Sequence, residues 1–67
     1  MQFTIKKARQ YVGLTQEEMA KKLGVSTKTY QSYETGKTAM RIDKAKLFSS
    51  ITNIPISQII FLLSNYG

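Results

Sequence analysis

The chain has 67 residues, 42% of them hydrophobic, and ten Lys/Arg against four Asp/Glu, a formal net charge of +6. A chain this short hides only about 60% of the surface it exposes when unfolded, which limits it to one small core and one domain, expected over residues 1–67. It has no cysteine and no histidine, which excludes disulfides, thiolate nucleophiles, Cys/His zinc sites and imidazole acid–base chemistry. No apolar segment follows the lysines of MQFTIKKARQ. The longest apolar run, Ile59 to Leu63, falls far short of the roughly 20 residues of a spanning helix. A cytoplasmic protein with no membrane association is therefore expected. The positive charge favours a polyanionic partner, nucleic acid before an anionic membrane surface, because the apolar positions make a globular core.

In chain order the sequence predicts five short helices. Ile5, Ala8 and Val12 recur at three- and four-residue spacing behind Thr4, which gives a first helix that stops before Gly13. Thr15 and Glu18 form the T-x-x-E pattern in which each side chain satisfies the other residue's free backbone N–H, so a second helix begins there. Met19, Ala20 and Leu23 are its apolar side. Gly24 permits a positive φ at that helix's end, and Ser26 offers an oxygen to cap a third helix reaching about Thr35 and Gly36. Ile42, Ala45, Phe48 and Ile51/Thr52 mark a fourth helix ending near Asn53. After Pro55 a fifth is expected from about Ile56 to Ser64. Strand signals are weak, with no sustained alternation and no hairpin dipeptide.

The third helix is divided by chemistry. At about 100° per residue, Ser26, Thr29, Tyr30, Tyr33 and Glu34 fall on one half, where the tyrosine rings can face Met19, Ala20, Leu23 and Val25. Thr27, Lys28, Gln31, Ser32 and Thr35 fall on the other. That half has hydrogen-bonding groups of both polarities, one cation and no acid. A solvated helix face more often mixes Glu with Lys, whereas short donors and acceptors with a threonine methyl suit the base edges of a major groove.

The stretch Q-E-E-M-A-K-K-L-G-V-S-x-x-x-Y-x-x-Y-E-x-G-K, with Arg9 and Gly13-Leu14-Thr15 before it, closely resembles the helix-turn-helix of the lambda-repressor/Cro-like (XRE) family of prokaryotic and phage regulators. Its further markers are Ala20, small where two helices cross, and Val25 beneath the Gly24 turn. Tyr30 anchors the third helix to the core, and Tyr33-Glu34 and Gly36-Lys37 complete the set. The resemblance implies an all-α, compact five-helix bundle in which helices 2 and 3 form the helix-turn-helix. It also implies DNA contacts, position by position. Gln16 matches a phosphate-binding position at a helix N-terminus. Thr27, Lys28, Gln31 and Ser32 match base- or groove-facing positions, with Lys28 suited to guanine O6/N7 and Gln31 to adenine or a neighbouring phosphate. Lys37 matches a phosphate-binding loop position, assisted by Thr38 and Arg41, with Lys44 a weaker candidate. Arg9 is expected to pair with Glu34 and to offer its remaining N–H groups to a phosphate. The loop Thr38-Ala39-Met40-Arg41 departs from the family in lacking the proline and serine often found there, and Met40 is expected to fill a gap in the core.

The expected function is that of a sequence-specific, double-stranded-DNA-binding transcriptional regulator acting by operator occupancy, most simply a repressor. The rival is a protein-interaction module, an antitoxin or anti-repressor, that uses the apolar C-terminal helix. Glu17, Glu18, Glu34 and Asp43 do not make an acid–base pair, and no metal cluster or phosphate-cradling glycine loop is present, so no enzyme, cofactor or small-molecule ligand is expected. A single domain leaves no room for a sensing module, so control is expected from concentration, dimerisation or another protein. Ile56, Ile59, Ile60, Phe61, Leu62 and Leu63 place apolar groups around more of the fifth helix than one core stripe needs. Phe61 and Leu62 are thus the candidates for a homodimer interface, and a two-fold dimer calls for a near-palindromic operator with recognition helices roughly 34–36 Å apart.

Overall fold

A computed structural model describes residues 2–61 of the chain. A two-residue strand, β1 (Phe3–Thr4), leads into α1 (Ile5–Tyr11), followed by α2 (Gln16–Leu23), α3 (Thr27–Thr35) and α4 (Ile42–Thr52). The helix boundaries follow from local chemistry. The Thr4 hydroxyl accepts from the Lys7 N–H and caps α1. At α2 the Glu18 N–H donates to Thr15 Oγ1 at 3.1 Å and the Thr15 N–H donates to Glu18 Oε1 at 2.8 Å, so two otherwise free donors are satisfied reciprocally. Two glycines end helices in left-handed conformation, Gly24 at φ 75° and Gly36 at φ 82°. In each case the next residue's N–H reaches back five residues, Val25 to the Ala20 carbonyl and Lys37 to that of Ser32. Ser26 caps α3 through the Thr29 N–H, and Asn53, at φ 58°, ends α4. No side chain caps the start of α4, where Arg41 stands.

These helices enclose a core in which Tyr30, Phe48, Met19 and Leu23 are the largest fully buried apolar side chains, joined by Ile5, Ala8, Ala20, Tyr33, Met40, Ala45, Ile54 and Ile59. Met40 fills the core end of the loop before α4. Ile42, placed by its spacing on the apolar side of that helix, is its first residue and remains 67% exposed.

The expected fifth helix is not there. Pro55, at φ −57°, opens a single 3-10 turn (Ile56–Gln58), and the chain then extends into β2 (Ile59–Ile60). This strand pairs parallel with β1, Phe3 opposite Ile59 and Thr4 opposite Ile60. The described fold is therefore four α-helices closed by a small strand pair rather than a five-helix bundle. Two physical causes combine. The β-branched and aromatic run Ile59-Ile60-Phe61 loses side-chain freedom in a helix and fits a pleated ladder. Thr4, as an N-cap, holds the chain before α1 extended, with backbone groups in need of partners. Ile59 points into the core and Ile60 outward, 42% exposed. Phe61 is half-buried, its ring edge-on to Phe48 with centroids 6.2 Å apart. Phe61, expected on a surplus outward helical face, packs on the core instead. Leu62, Leu63 and Ser64 lie outside the described residues. Among the described residues no helix is long and apolar enough to cross a membrane.

Candidate nucleic-acid interface

The two halves of α3 have opposite environments. Tyr30 is fully buried and Tyr33 nearly so, the two rings edge-to-face at 6.3 Å. Opposite them Lys28, Gln31 and Thr35 are exposed, and Thr27 and Ser32 half-exposed. The Ser32 hydroxyl donates back to the Lys28 carbonyl at 3.2 Å and the Thr35 hydroxyl to that of Ser32 at 3.3 Å, so both present an acceptor oxygen outward. Between the N-termini of α2 and α3 lies an open groove of about 480 Å³, lined by Arg9, Thr15, Gln16, Glu17, Thr27 and Gln31. Gln16, Thr27 and Gln31 thus share one surface although 15 residues of chain separate the two glutamines.

Behind that surface a hydrogen-bonded network centres on Glu34, the only acid of α3. Arg9 Nε donates to Glu34 Oε2 at 2.6 Å and Nη2 to Oε1 at 3.4 Å, while Nη1 donates to the Leu14 carbonyl at 2.9 Å. The Tyr30 hydroxyl donates to Glu34 Oε2 at 2.5 Å, and Gln16 Nε2 to Oε1 at 2.9 Å. Gln31 Nε2 then donates to Gln16 Oε1 at 3.1 Å. One carboxylate therefore ties α1, α2 and α3 together, with side-chain exposures of 11% for Arg9 and 5% for Glu34. Burial works to raise the Glu34 carboxyl, but the hydrogen bonds from Arg9, Tyr30 and Gln16 and the arginine's charge outweigh it and hold the group below the usual carboxylate range. The hydrogen bond to Glu34 raises Arg9 further still, against the desolvation that lowers it. Burial first, and then the bond to Glu34, push the Tyr30 phenol up, so it stays a neutral donor.

Each residue singled out from sequence has a definite place in this arrangement. Arg9 and Glu34 meet, and all the observed partners of Arg9 are internal. Gln16 stands in the first position of α2 with its amide engaged on both sides. Lys37 and Thr38 follow α3, both exposed, their backbone N–H groups on the Ser32 carbonyl. Arg41 is exposed and 3.8 Å from Asp43. Lys44, the weaker phosphate candidate, is half-buried, and its Nζ donates to the Leu23 carbonyl at 2.7 Å. There it satisfies a free carbonyl at the negative end of the α2 dipole, beside the turn into α3. Phe61 lies apart, on the core.

Sequence reasoning missed the Tyr30–Glu34 and Gln16–Gln31 bonds. The first was signalled by i, i+4 spacing on one helix; the second needs the crossing of α2 and α3 and has no local signal.

A family model described as helix-turn-helix matches residues 5–59, the greater part of the chain. No curated protein and no solved structure matches it at a significant level. The matched span begins with α1 and ends in β2, so it takes in the whole of the Glu34 network and both halves of the α2–turn–α3 unit. The family is one of DNA-binding transcription regulators. With these helices, this turn and this match, the chain belongs to the lambda-repressor/Cro-like (XRE) helix-turn-helix family.

Proposed function

We propose that this single domain recognises a specific double-stranded sequence by laying the outer half of α3 in the major groove, and that it regulates transcription by occupying an operator, most simply as a repressor in the cytoplasm. Thr27, Lys28, Gln31 and Ser32 face the bases, Lys28 toward guanine O6/N7 and Gln31 toward adenine or an adjacent phosphate. Gln16, at the N-terminus of α2, and Lys37, Thr38 and Arg41, beyond α3, hold phosphates and fix the register. Arg9 supports them, its charge set against Glu34 and its outer edge toward the backbone.

One observation carries this reading. The only carboxylate of α3 is turned inward and neutralised by Arg9, so the exposed half of the helix offers a polyanion neutral hydrogen-bonding groups and one cation. The Gln31–Gln16 bond also holds a groove-facing side chain to a residue at the α2 N-terminus, so base reading and phosphate binding share one rigid unit.

Lys28→Ala and Gln31→Ala test it. Each is expected to weaken binding to the selected operator by roughly 1–3 kcal/mol, to relax base preference at one position, and to leave the melting temperature unchanged. Equal weakening on operator and random duplexes contradicts base reading and makes them phosphate contacts. A chain that binds no duplex but captures another protein tightly is the antitoxin or anti-repressor module instead.

A further inference from the structure

We propose that Glu34, although it is turned away from the groove, decides which base Gln31 reads, because its carboxylate fixes the direction of both amides in the relay Glu34–Gln16–Gln31. The proposal rests on the preceding reading that the outer half of α3 meets base edges, and it adds a positioning residue that touches no base.

A glutamine amide carries an acceptor oxygen and a donor nitrogen of nearly the same shape, so packing alone leaves both orientations open. An ionised carboxylate beside it leaves one. Glu34 is held below the usual carboxylate range and only accepts, so Gln16 turns its Nε2 inward, 2.9 Å from Glu34 Oε1. Gln16 Oε1 is left facing α3, where it needs a donor. Gln31 supplies one from its own Nε2 at 3.1 Å. On this exposed side chain the oxygen and the second N–H remain for the groove. An acceptor beside a donor matches adenine, which offers its N6 amino group and N7, whereas guanine offers two acceptors, O6 and N7, and a phosphate only acceptors. The relay thus favours adenine over both.

The inner end of the relay has a fixed direction as well. Arg9 Nε and the Tyr30 hydroxyl both donate to Glu34 Oε2, at 2.6 and 2.5 Å. In Glu34→Gln these two donors draw the new amide oxygen to the Oε2 site and leave its amino group facing Gln16, giving up only the long 3.4 Å bond from Arg9 Nη2. Gln16 must then turn over, and Gln31 after it. Gln31 now gives its oxygen to Gln16 and presents only its amino group, which suits the two acceptors of guanine. In either direction Gln16 keeps a second N–H for a phosphate, so the reversal changes base choice and not phosphate binding.

The test uses the 67-residue chain and a duplex it selects from a random pool, with the four bases placed in turn at the position where Gln31→Ala loses its preference. There the wild type is expected to bind adenine about tenfold or more tightly than guanine. Glu34→Gln is expected to reverse that order. Gln16→Met, which cuts the relay but leaves Arg9, Tyr30 and Glu34 bonded to one another, is expected to reduce the preference to less than about threefold. Its loss of a phosphate contact weakens every sequence evenly, whereas the loss of the relay is confined to one base pair. If Glu34→Gln does not fold, Gln16→Met decides alone. A folded Glu34→Gln protein that keeps the adenine preference overturns the proposal, and so does Gln16→Met with the preference intact or a wild type that prefers guanine there. A selected sequence indifferent to Gln31→Ala overturns the relay and leaves DNA recognition standing. A wild type that selects no sequence removes the reading of α3, and the proposal with it.

Discussion

Replacing Tyr30 with alanine is expected to leave the domain largely unfolded at 25 °C. The ring is fully buried at the centre of the core, edge-on to Tyr33 at 6.3 Å, and its hydroxyl donates to Glu34 at 2.5 Å. Removing a buried aromatic side chain costs about 3–5 kcal/mol, and a domain of this size holds about the same in total. Tyr30→Phe separates the two contributions. It keeps the packing and takes one donor from a buried carboxylate, a loss of about 1.5–3 kcal/mol. At about 4–8 °C per kcal/mol the Phe variant should remain folded at room temperature with a clearly lowered melting point. Circular-dichroism melts of the three proteins check this. A Tyr30→Ala protein that melts like the wild type contradicts the phase assigned to α3, and with it the identity of the outward half.

The second large effect is expected at Arg9. Arg9→Ala leaves Glu34 charged, desolvated and without its cation, and breaking a buried pair in this way costs about 3–5 kcal/mol. In the folded remainder the uncompensated charge also stands behind a surface proposed to meet phosphates, so duplex binding weakens as well. Adding Glu34→Gln removes that charge while keeping a group of similar shape. The double variant should regain part of both stability and affinity relative to Arg9→Ala, a coupling of about 0.5–3 kcal/mol. If the double variant is no better than the single one, the two residues do not act as a pair. The same carboxylate predicts an acid limb. Its folded value is held below the ordinary glutamate value, so its stabilisation is complete above about pH 4.3 and is lost as pH falls through the folded value. Glu18, held low by the Thr15 backbone N–H, contributes in the same direction. The part that belongs to Glu34 is the difference in acid sensitivity between the wild type and Glu34→Gln, with the wild type falling more steeply.

The parts of this fold legible in the sequence are those whose causes are local. Thr4, Thr15 with Glu18, Gly24, Ser26 and Asn53 each act within about one helical turn, and each stands at the boundary expected of it. The phase of α3 was legible for the same reason, since two tyrosines three residues apart fix which side packs. Where the cause is distant, sequence reading failed. Ile59 and Ile60 are extended because Phe3 and Thr4 lie opposite them, and a two-residue ladder between the ends of the chain leaves no periodicity to detect. The bond from Lys44 to the end of α2 had no signal either, because its partner is a backbone carbonyl on another helix, and carbonyls have no sequence identity. The candidate interface was read residue by residue, but its support was not. That Gln16 and Gln31 touch, and that both hang from Glu34, follows only once α2 and α3 cross.

The most direct test of the central claim is selection of bound sites from random duplex DNA with the wild-type chain, followed by titration of the enriched site at several salt concentrations. Base reading through α3 predicts enrichment of one defined sequence, and two copies bound about a two-fold axis would make it a near-palindrome whose half-sites lie about 10 base pairs apart, centre to centre. It also predicts affinity that falls steeply with salt, as released counterions require, and that stays about a thousandfold or more above the affinity for random duplex at any one salt concentration. Enrichment of no sequence, with equal binding to all duplexes, contradicts it.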